Sequence, residues 1–310
     1  MDPGRRRHYA DFYDGPAGTG PVTVVLGNCQ AESLRVLLDT SADRDQPPVR
    51  IPPVHELTAA DLPPLHRLLA RTAVLLSQPV RDDYRDLPVG TAQLAAALPR
   101  GARVLRWPVI RHTGLQPYAA IVRHPSDMAA VPPVVPYHDL RTLAVAAGRS
   151  GEPAHVAAAL RAAAAASVAE LARRERAVDV GVSDVLAGFG ARAVHTLNHP
   201  GNPVLRTLAH RVQAALGRPV DAAEPGRELL GGIRAPLVAP VIDALGLDAD
   251  PRDHWLVDGA PVADADVRAA QLSWYAAHPQ WVAAGVTRHA DRMRLLGLSR
   301  GIRSCRGPRP

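Results

Sequence analysis

A cysteine set between an apolar run and an amphipathic segment is the first residue of this 310-residue chain with the position to do chemistry. In "VTVVLGNCQAESLRVLLD", residues 22–39, the β-branched run Val22–Leu26 stops at Gly27-Asn28-Cys29-Gln30 and helical spacing follows at once. At the first turn of a helix the free N–H groups and the dipole favour negative charge. That position predicts a thiol drawn from about 8.5 toward neutrality, and so a nucleophilic thiolate. Gly27 and Asn28 suit a tight turn with backbone donors facing outward. The ordinary alternative for a lone cysteine is a small hydrophobe packed under a sheet. Position alone leaves the two readings open.

A cysteine nucleophile needs a base, and there are 13 histidines to supply one. "TLNHPGNPVL" is the most suggestive setting, with His199 in a turn-rich loop just before a helix that carries Pro203 in its first turn. In "PYHDL", His138 or Asp139 stands at a helix start, and "RHP" offers His124. For each of these a solvated or capping histidine is the plain alternative. No histidine pair has ligand spacing on a helix and the second cysteine, Cys305, lies in the last residues, so no metal is expected. Phosphate-loop signatures are absent: no GxGxxG occurs, and without lysine there is no GxxxxGK[ST]. "GFGARA" at 188–193 has no strand before it.

The elements that must position Cys29 read as α/β. Strand-like runs at Val22–Leu26, 49–52, "AVLLSQPV" and "ARVLRWPVI" alternate with helical patterns at Ala31–Leu38, after Pro63-Pro64, and at Thr91–Leu98. That alternation predicts a short parallel sheet with flanking helices in the N-terminal half. In such sheets ligands lie beyond the carboxyl ends of the strands, which puts Gly27–Gln30, Ser77–Tyr84 and Trp107–Tyr118 on one rim. The C-terminal half reads as predominantly helical: 137–148, the alanine-rich 153–177, 202–217, 235–247 and 264–296. The expected organisation is a flexible segment over 1–20, one domain over 21–298, and a disordered arginine-rich tail over 299–310.

Composition narrows the function classes. The tail's Arg300, Arg303, Arg306 and Arg309 supply four of the six net positive charges, leaving the body with no electrostatic footprint for nucleic acid. No segment is apolar enough to span a membrane, the arginines near the start precede no apolar signal region, and two cysteines make no disulfide framework. A cytoplasmic protein is expected. Oligomeric state has no sequence signal.

"LGNCQAESLRVLL", "LLSQPVRDDYR", "VPYHDLRTLAVAAG" and "HTLNHPGNPVLRTLA", in that order, resemble the WcbI family of capsular polysaccharide biosynthesis, over roughly residues 22–290. The resemblance implies an acetyltransferase with a coenzyme A site and a carbohydrate hydroxyl as acceptor, and its strand–nucleophile–helix opening is similar to that of SGNH-type esterases. It implies Cys29 as the reacting residue, with Gly27, Asn28 and Gln30 around it, and matches Ser77, Gln78, Tyr84 and His199 to other motif positions. The chain departs from the family's pattern in "RWPVIRHTGLQPY", where a more aromatic stretch is expected. Thiolate–thioester exchange is nearly thermoneutral, so acetyl-CoA suits Cys29, with His199 as base and the N–H groups of Cys29 and Gln30, with the amide of Asn28 or Gln78, as oxyanion donors. Arginine is the only cation to meet coenzyme A phosphates, and Arg35, Arg81, Arg111 and Arg123 fall near the expected rim, with His138 beside them. An esterase or thioesterase with a cysteine nucleophile, and a non-catalytic coenzyme A-binding protein, are the competing readings.

Overall fold

The computed structural model describes residues 2–124, 126–127, 130–153 and 156–299. They gather in two compact units, each drawn from three stretches of chain. The first takes the residues up to Arg111, Ala169–Ala193 and Asn198–Leu230; the second takes His112–Val168, Val194–Leu197 and the chain from Gly231 on.

The first unit opens with two short helices, α1 (Pro3–His8) and α2 (Ala10–Tyr13). The sequence reading expects a flexible segment over 1–20. The Asp2 side chain caps the first turn of α1, and Phe12 and Tyr13 bury into the core. Arg5 Nε donates to Tyr13 Oη at 2.9 Å, and Tyr13 Oη donates to the buried Asp61 carboxylate at 2.7 Å. Tertiary contact, not helical pattern, fixes this segment.

Next come β1 (Val22–Leu26), α3 (Cys29–Leu38), β2 (Pro48–Val49), α4 (Leu62–Leu69), β3 (Thr72–Ser77), α5 (Thr91–Ala96) and β4 (Arg103–Arg106). The strands form one parallel sheet in the order β2-β1-β3-β4, as the alternating pattern predicts. β1 is buried along its whole length, with Leu26 paired to Ser77 of β3. A continuous β-branched run is what a strand covered on both faces requires. Val24, Leu26, Leu34 and Leu37 are completely buried, each worth about 1.5–3 kcal/mol of transfer free energy. The helix Asn202–Ala215 packs on α3 with Leu205, Leu208 and Val212 turned inward.

The second unit holds most of the remaining helices, including Leu140–Ala146, Asp264–Ala277 and Pro279–Arg288. It also holds a sheet that the helical reading missed. Ile233–Arg234, His254–Val257 and Ala260–Ala263 pair antiparallel, with the middle strand and the last joined through Asp258-Gly259. Both turn residues have positive φ, 49° and 83°, the geometry that Asp-Gly favours in a two-residue hairpin. Trp255 on the middle strand stacks on Tyr137 at 6.1 Å and anchors a small core with Val267, Ala235 and Leu197.

No described helix is long and apolar enough to cross a membrane. Of the tail, only Ser299 falls within the described residues; the disorder expected there lies outside them.

Candidate functional site

Cys29 is the first residue of α3, at the carboxyl end of β1, as the sequence predicts. Asn28 is the N-cap: its Oδ1 accepts the Gln30 backbone N–H at 3.0 Å. The turn is locked from both sides. The Gly27 carbonyl accepts Val54 N–H at 2.8 Å, and the Asn28 N–H donates to Gln78 Oε1 at 2.9 Å. Gly27 is required by this close approach rather than by its dihedral angles, since a Cβ there would lie 2.6 Å from Gln78 Oε1.

Gln30 is completely buried and ties three separate segments together. Its Nε2 donates to the Ile110 carbonyl at 2.8 Å and the Asn198 carbonyl at 2.7 Å; its Oε1 accepts Ile110 N–H at 3.0 Å and Gln78 Nε2 at 3.2 Å. The GNCQ turn, the SQP turn and the NHP loop therefore converge on one side chain. Trp107 N–H donates to the Ser77 carbonyl at 3.1 Å, which brings the end of β4 to the same rim. His199 follows Asn198 directly and is half-buried.

Several expected ligand residues have other employment. The Ser77 hydroxyl is buried and spent on the Gln78 carbonyl at 2.7 Å and on Thr91 Oγ1 at 3.0 Å. Thr91 Oγ1 also accepts Val80 N–H at 2.9 Å, so Ser77 and Thr91 hold the SQP turn in shape. Gln78, 2% exposed, uses both ends of its amide on the scaffold, and Gln30 N–H is taken by Asn28. Of the proposed oxyanion donors, the Cys29 N–H is turned to its own sulfur, and the Asn28 amide nitrogen has no hydrogen bond among the described residues. Tyr84 packs, half-buried, against the first unit's core. Arg35 is held by Glu32 at 2.7 Å and Asp39 at 3.4 Å, whereas Arg81 and Arg111 are exposed. Arg123 and His138 belong to the second unit. There His138 is 1% exposed, its Nδ1 lies 2.6 Å from Tyr275 Oη, and burial lowers its pKa to about 4; it is a core histidine, not a rim base.

The thiol corrects a second expectation. Burial pushes the Cys29 thiol above its ordinary range, outweighing the pull of the backbone N–H groups of Cys29 and Gln30 on the sulfur; the Glu56 carboxylate adds a smaller push in the same direction. Helix position alone does not make a thiolate where desolvation of the anion costs more than the helix terminus returns.

Sequence reasoning passed over the turn Val54–Glu56. The Val54 N–H bond to Gly27 sets His55 and Glu56 beside the GNCQ turn, with Arg85 Nη1 donating to the His55 carbonyl at 2.6 Å. The one signal was an adjacent His-Glu pair ahead of a helix, too common to single out. No group of three or more His, Cys, Asp or Glu side chains among the described residues is disposed to hold a metal ion.

A family model described as "Polysaccharide biosynthesis enzyme WcbI" matches residues 22–221. Among solved structures, the chain is similar to WcbI, described as a novel polysaccharide biosynthesis enzyme, in its native form without a disulfide bond between coenzyme A and one of its cysteines. The two share 20% identity with a TM-score of 0.75, over 90% of this chain and 99% of that one. At that identity the likeness carries the fold alone. No curated protein matches the chain.

Proposed function

Because the chain belongs to the WcbI family of polysaccharide biosynthesis enzymes, we propose that it is an acyl-CoA-dependent O-acyltransferase, using acetyl-CoA as donor and a carbohydrate hydroxyl as acceptor. The observation that carries this reading is the convergence on Gln30. A cysteine heads a helix, and the side chain next to it binds both Ile110, in the segment after β4, and Asn198, the residue before His199. The description of the solved WcbI structure mentions coenzyme A and a cysteine together. Carried to this chain, that pairing falls on Cys29, the cysteine among the described residues.

In this reading the Cys29 sulfur attacks the thioester carbonyl, the bond to the coenzyme A sulfur breaks, and that thiol leaves with a proton. The acceptor hydroxyl then attacks acyl-Cys29 while His199 takes its proton, and the Cys29 sulfur leaves. The Asn28 amide is the donor suited to the tetrahedral oxyanion, and one such donor is typically worth about 3 kcal/mol. Exposed Arg111, one residue past Ile110, and Arg81 suit the donor's phosphates. A cytoplasmic location follows from the donor, an intracellular thioester.

Intact-mass spectrometry after mixing with acetyl-CoA tests the reading. One acetyl group should appear on the wild type and none on Cys29→Ala. His199→Ala should load normally and pass the group to an acceptor more slowly. If Cys29→Ala keeps more than about a tenth of the transfer rate, a barrier change under about 1.4 kcal/mol, the cysteine is not the nucleophile. His55→Ala run alongside tests whether the histidine beside the GNCQ turn, rather than His199, acts as the base. Acetyl loss at the same rate without any acceptor would make the protein a thioesterase.

A further inference from the structure

The reaction above leaves one proton without a carrier. Burial pushes the Cys29 thiol up, so at neutral pH the sulfur holds its proton. That proton must leave as the sulfur attacks, and the coenzyme A sulfur must gain one as it departs. His199 serves the later step, in which the acceptor hydroxyl is deprotonated. A second imidazole stands beside the same cysteine, on the turn Val54–Glu56.

That turn is pinned at each of its three residues. The Val54 N–H donates at 2.8 Å to the carbonyl of Gly27, two residues before Cys29. Arg85 Nη1 donates to the His55 carbonyl at 2.6 Å. Arg5 of α1 donates through Nη2 to the Glu56 carbonyl at 3.1 Å and through Nη1 to Glu56 Oε2 at 3.3 Å. Arg5 is held in turn by Tyr13 Oη at 2.9 Å and Asp61 Oδ2 at 3.4 Å. Arg85 belongs to a loop in which Asp83, Arg85 and Asp86 all take left-handed φ, 51°, 56° and 62°. Non-glycine residues keep such angles only where their surroundings over-determine them, and they gather at functional sites. Two guanidiniums from separate segments fix this surface turn more firmly than a connection requires.

The side chains so fixed suit proton transfer. The His55 side chain is 43% exposed, open to a departing thiol. Its Nε2 lies 4.0 Å from Glu56 Oε1, a separation of the kind that tightens when substrate binds. A carboxylate at one ring nitrogen sets the tautomer and leaves the other nitrogen basic. The Glu56 carboxylate is near enough to Cys29 to disfavour its thiolate, a second observation that sets the turn beside the sulfur. Once His55 takes a proton, its charge cancels that of Glu56. The step that frees the thiolate thus removes the carboxylate's push against it.

We propose that His55, oriented by Glu56, carries the proton of the acyl-loading step. Its Nδ1, the ring nitrogen farther from Glu56, takes the Cys29 proton as the bond from sulfur to the acyl carbon forms. The proton passes to the coenzyme A sulfur as the thioester bond breaks, and the imidazole returns to its neutral form. This role rests on the transferase reading; the place of His55 beside Cys29 does not.

The test is single-turnover acetyl loading from acetyl-CoA, followed by intact mass on the full chain between neutral and alkaline pH. At neutral pH, His55→Ala and His55→Gln should load about a hundredfold more slowly than the wild type, with unchanged thermal melts. The defect should shrink as pH rises past the thiol's own midpoint, where Cys29 ionises without help. Added imidazole should restore part of the lost rate. Glu56→Gln should slow loading less, and should add nothing to His55→Ala in the double variant, because it acts through the imidazole. A folded His55 variant that loads within about threefold of the wild type overturns the proposal. So does a defect of one size at every pH, which is what a purely structural role produces. A wild type that never loads acetyl overturns the transferase reading instead, and alkylation then decides whether His55 serves the thiol. Iodoacetamide needs no coenzyme A; its rate at neutral pH should fall severalfold in His55→Ala and hold in His199→Ala. Equal alkylation rates in wild type and His55→Ala remove His55 from the site.

Discussion

At the scale of single residues, the site is organised by an amide rather than by the cysteine. Gln30 makes four hydrogen bonds from a fully buried position, two of them to the backbone carbonyls of Ile110 and Asn198. Gln30→Met keeps the volume and strands several buried polar groups, each costing about 1–3 kcal/mol. The expected outcome is a loss of about 2–4 kcal/mol in urea unfolding, with acyl loading lost even where the variant folds. Unchanged stability would mean that water replaces the amide. Cys29 itself makes a prediction of opposite sign to the one its sequence position suggests. With burial holding the neutral thiol, the iodoacetamide rate of the free chain should have its midpoint above about 8.5 rather than below it. The folded state then keeps its proton longer than the unfolded chain does. Cys29 thus withdraws stability as pH rises past the ordinary thiol value. A midpoint near neutrality in the free chain would show that the helix terminus and a neighbouring histidine outweigh burial.

At the scale of elements, two glycines permit the convergence. Gly27 lets Gln78 close over the end of β1, and Gly201 caps the helix Asn202–Ala215 that follows His199. A Cβ at Gly201 would sit 2.2 Å from the Arg192 carbonyl oxygen, a backbone atom with no rotamer to escape through. Gly201→Ala should therefore shift the NHP loop, costing about 1–3 kcal/mol and displacing His199. Gly27→Ala meets a side chain instead and should cost less while still disturbing Asn28. Thermal melts order the two, and equal costs would say that the backbone around Gly201 yields freely. What the sequence made legible follows the same division. The β1–Cys29–α3 unit could be read because a β-branched run and a 3.6-residue spacing abut with no linker between them. The turn Val54–Glu56 could not, because its place is set by long-range contacts, the Val54 N–H on Gly27 and the Arg5 and Arg85 guanidiniums on Glu56 and His55, in a segment without periodicity. α1 is in the same position, polar on every side and held by Arg5 against Glu56 and Asp61. The hairpin at Asp258-Gly259 carried its signal, an Asp-Gly pair between short alternating runs, and was lost among the longer helical patterns around it.

At the scale of the whole molecule, the two units differ in how they answer acid. Burial holds His112, His138 and His289 neutral with pKa values of about 4, and all three lie in the second unit. Around His138, Arg123 and His289 also disfavour its proton, as Arg292 and Arg288 do for His289. In the unfolded chain a histidine titrates near 6.5. Above that pH both states are neutral and the histidines leave stability unchanged. Between about 6.5 and 4 the unfolded chain binds protons that the folded chain refuses, so stability falls as pH drops. For His138 and His112, nearly inaccessible to water, the loss reaches about 3 kcal/mol each at the lower end of the window. Set against the 5–15 kcal/mol of an ordinary domain, that is enough to unfold the second unit or leave it marginal. The carboxylate that anchors the first unit acts in a lower range: Asp61, hydrogen-bonded to Tyr13 and Thr58, is held below its ordinary value and gives up stability only as pH falls past about 4. Urea unfolding between pH 7 and pH 4.5, followed separately by Trp255 emission and by hydrogen exchange in β1 and β3, should show the second unit loosening first. His138→Gln, which keeps a partner for Tyr275 and removes the titration, should shallow the pH slope by about one proton. Equal loss in both units, or a slope untouched by that substitution, would mean that the buried histidines are already reached by water in the native protein.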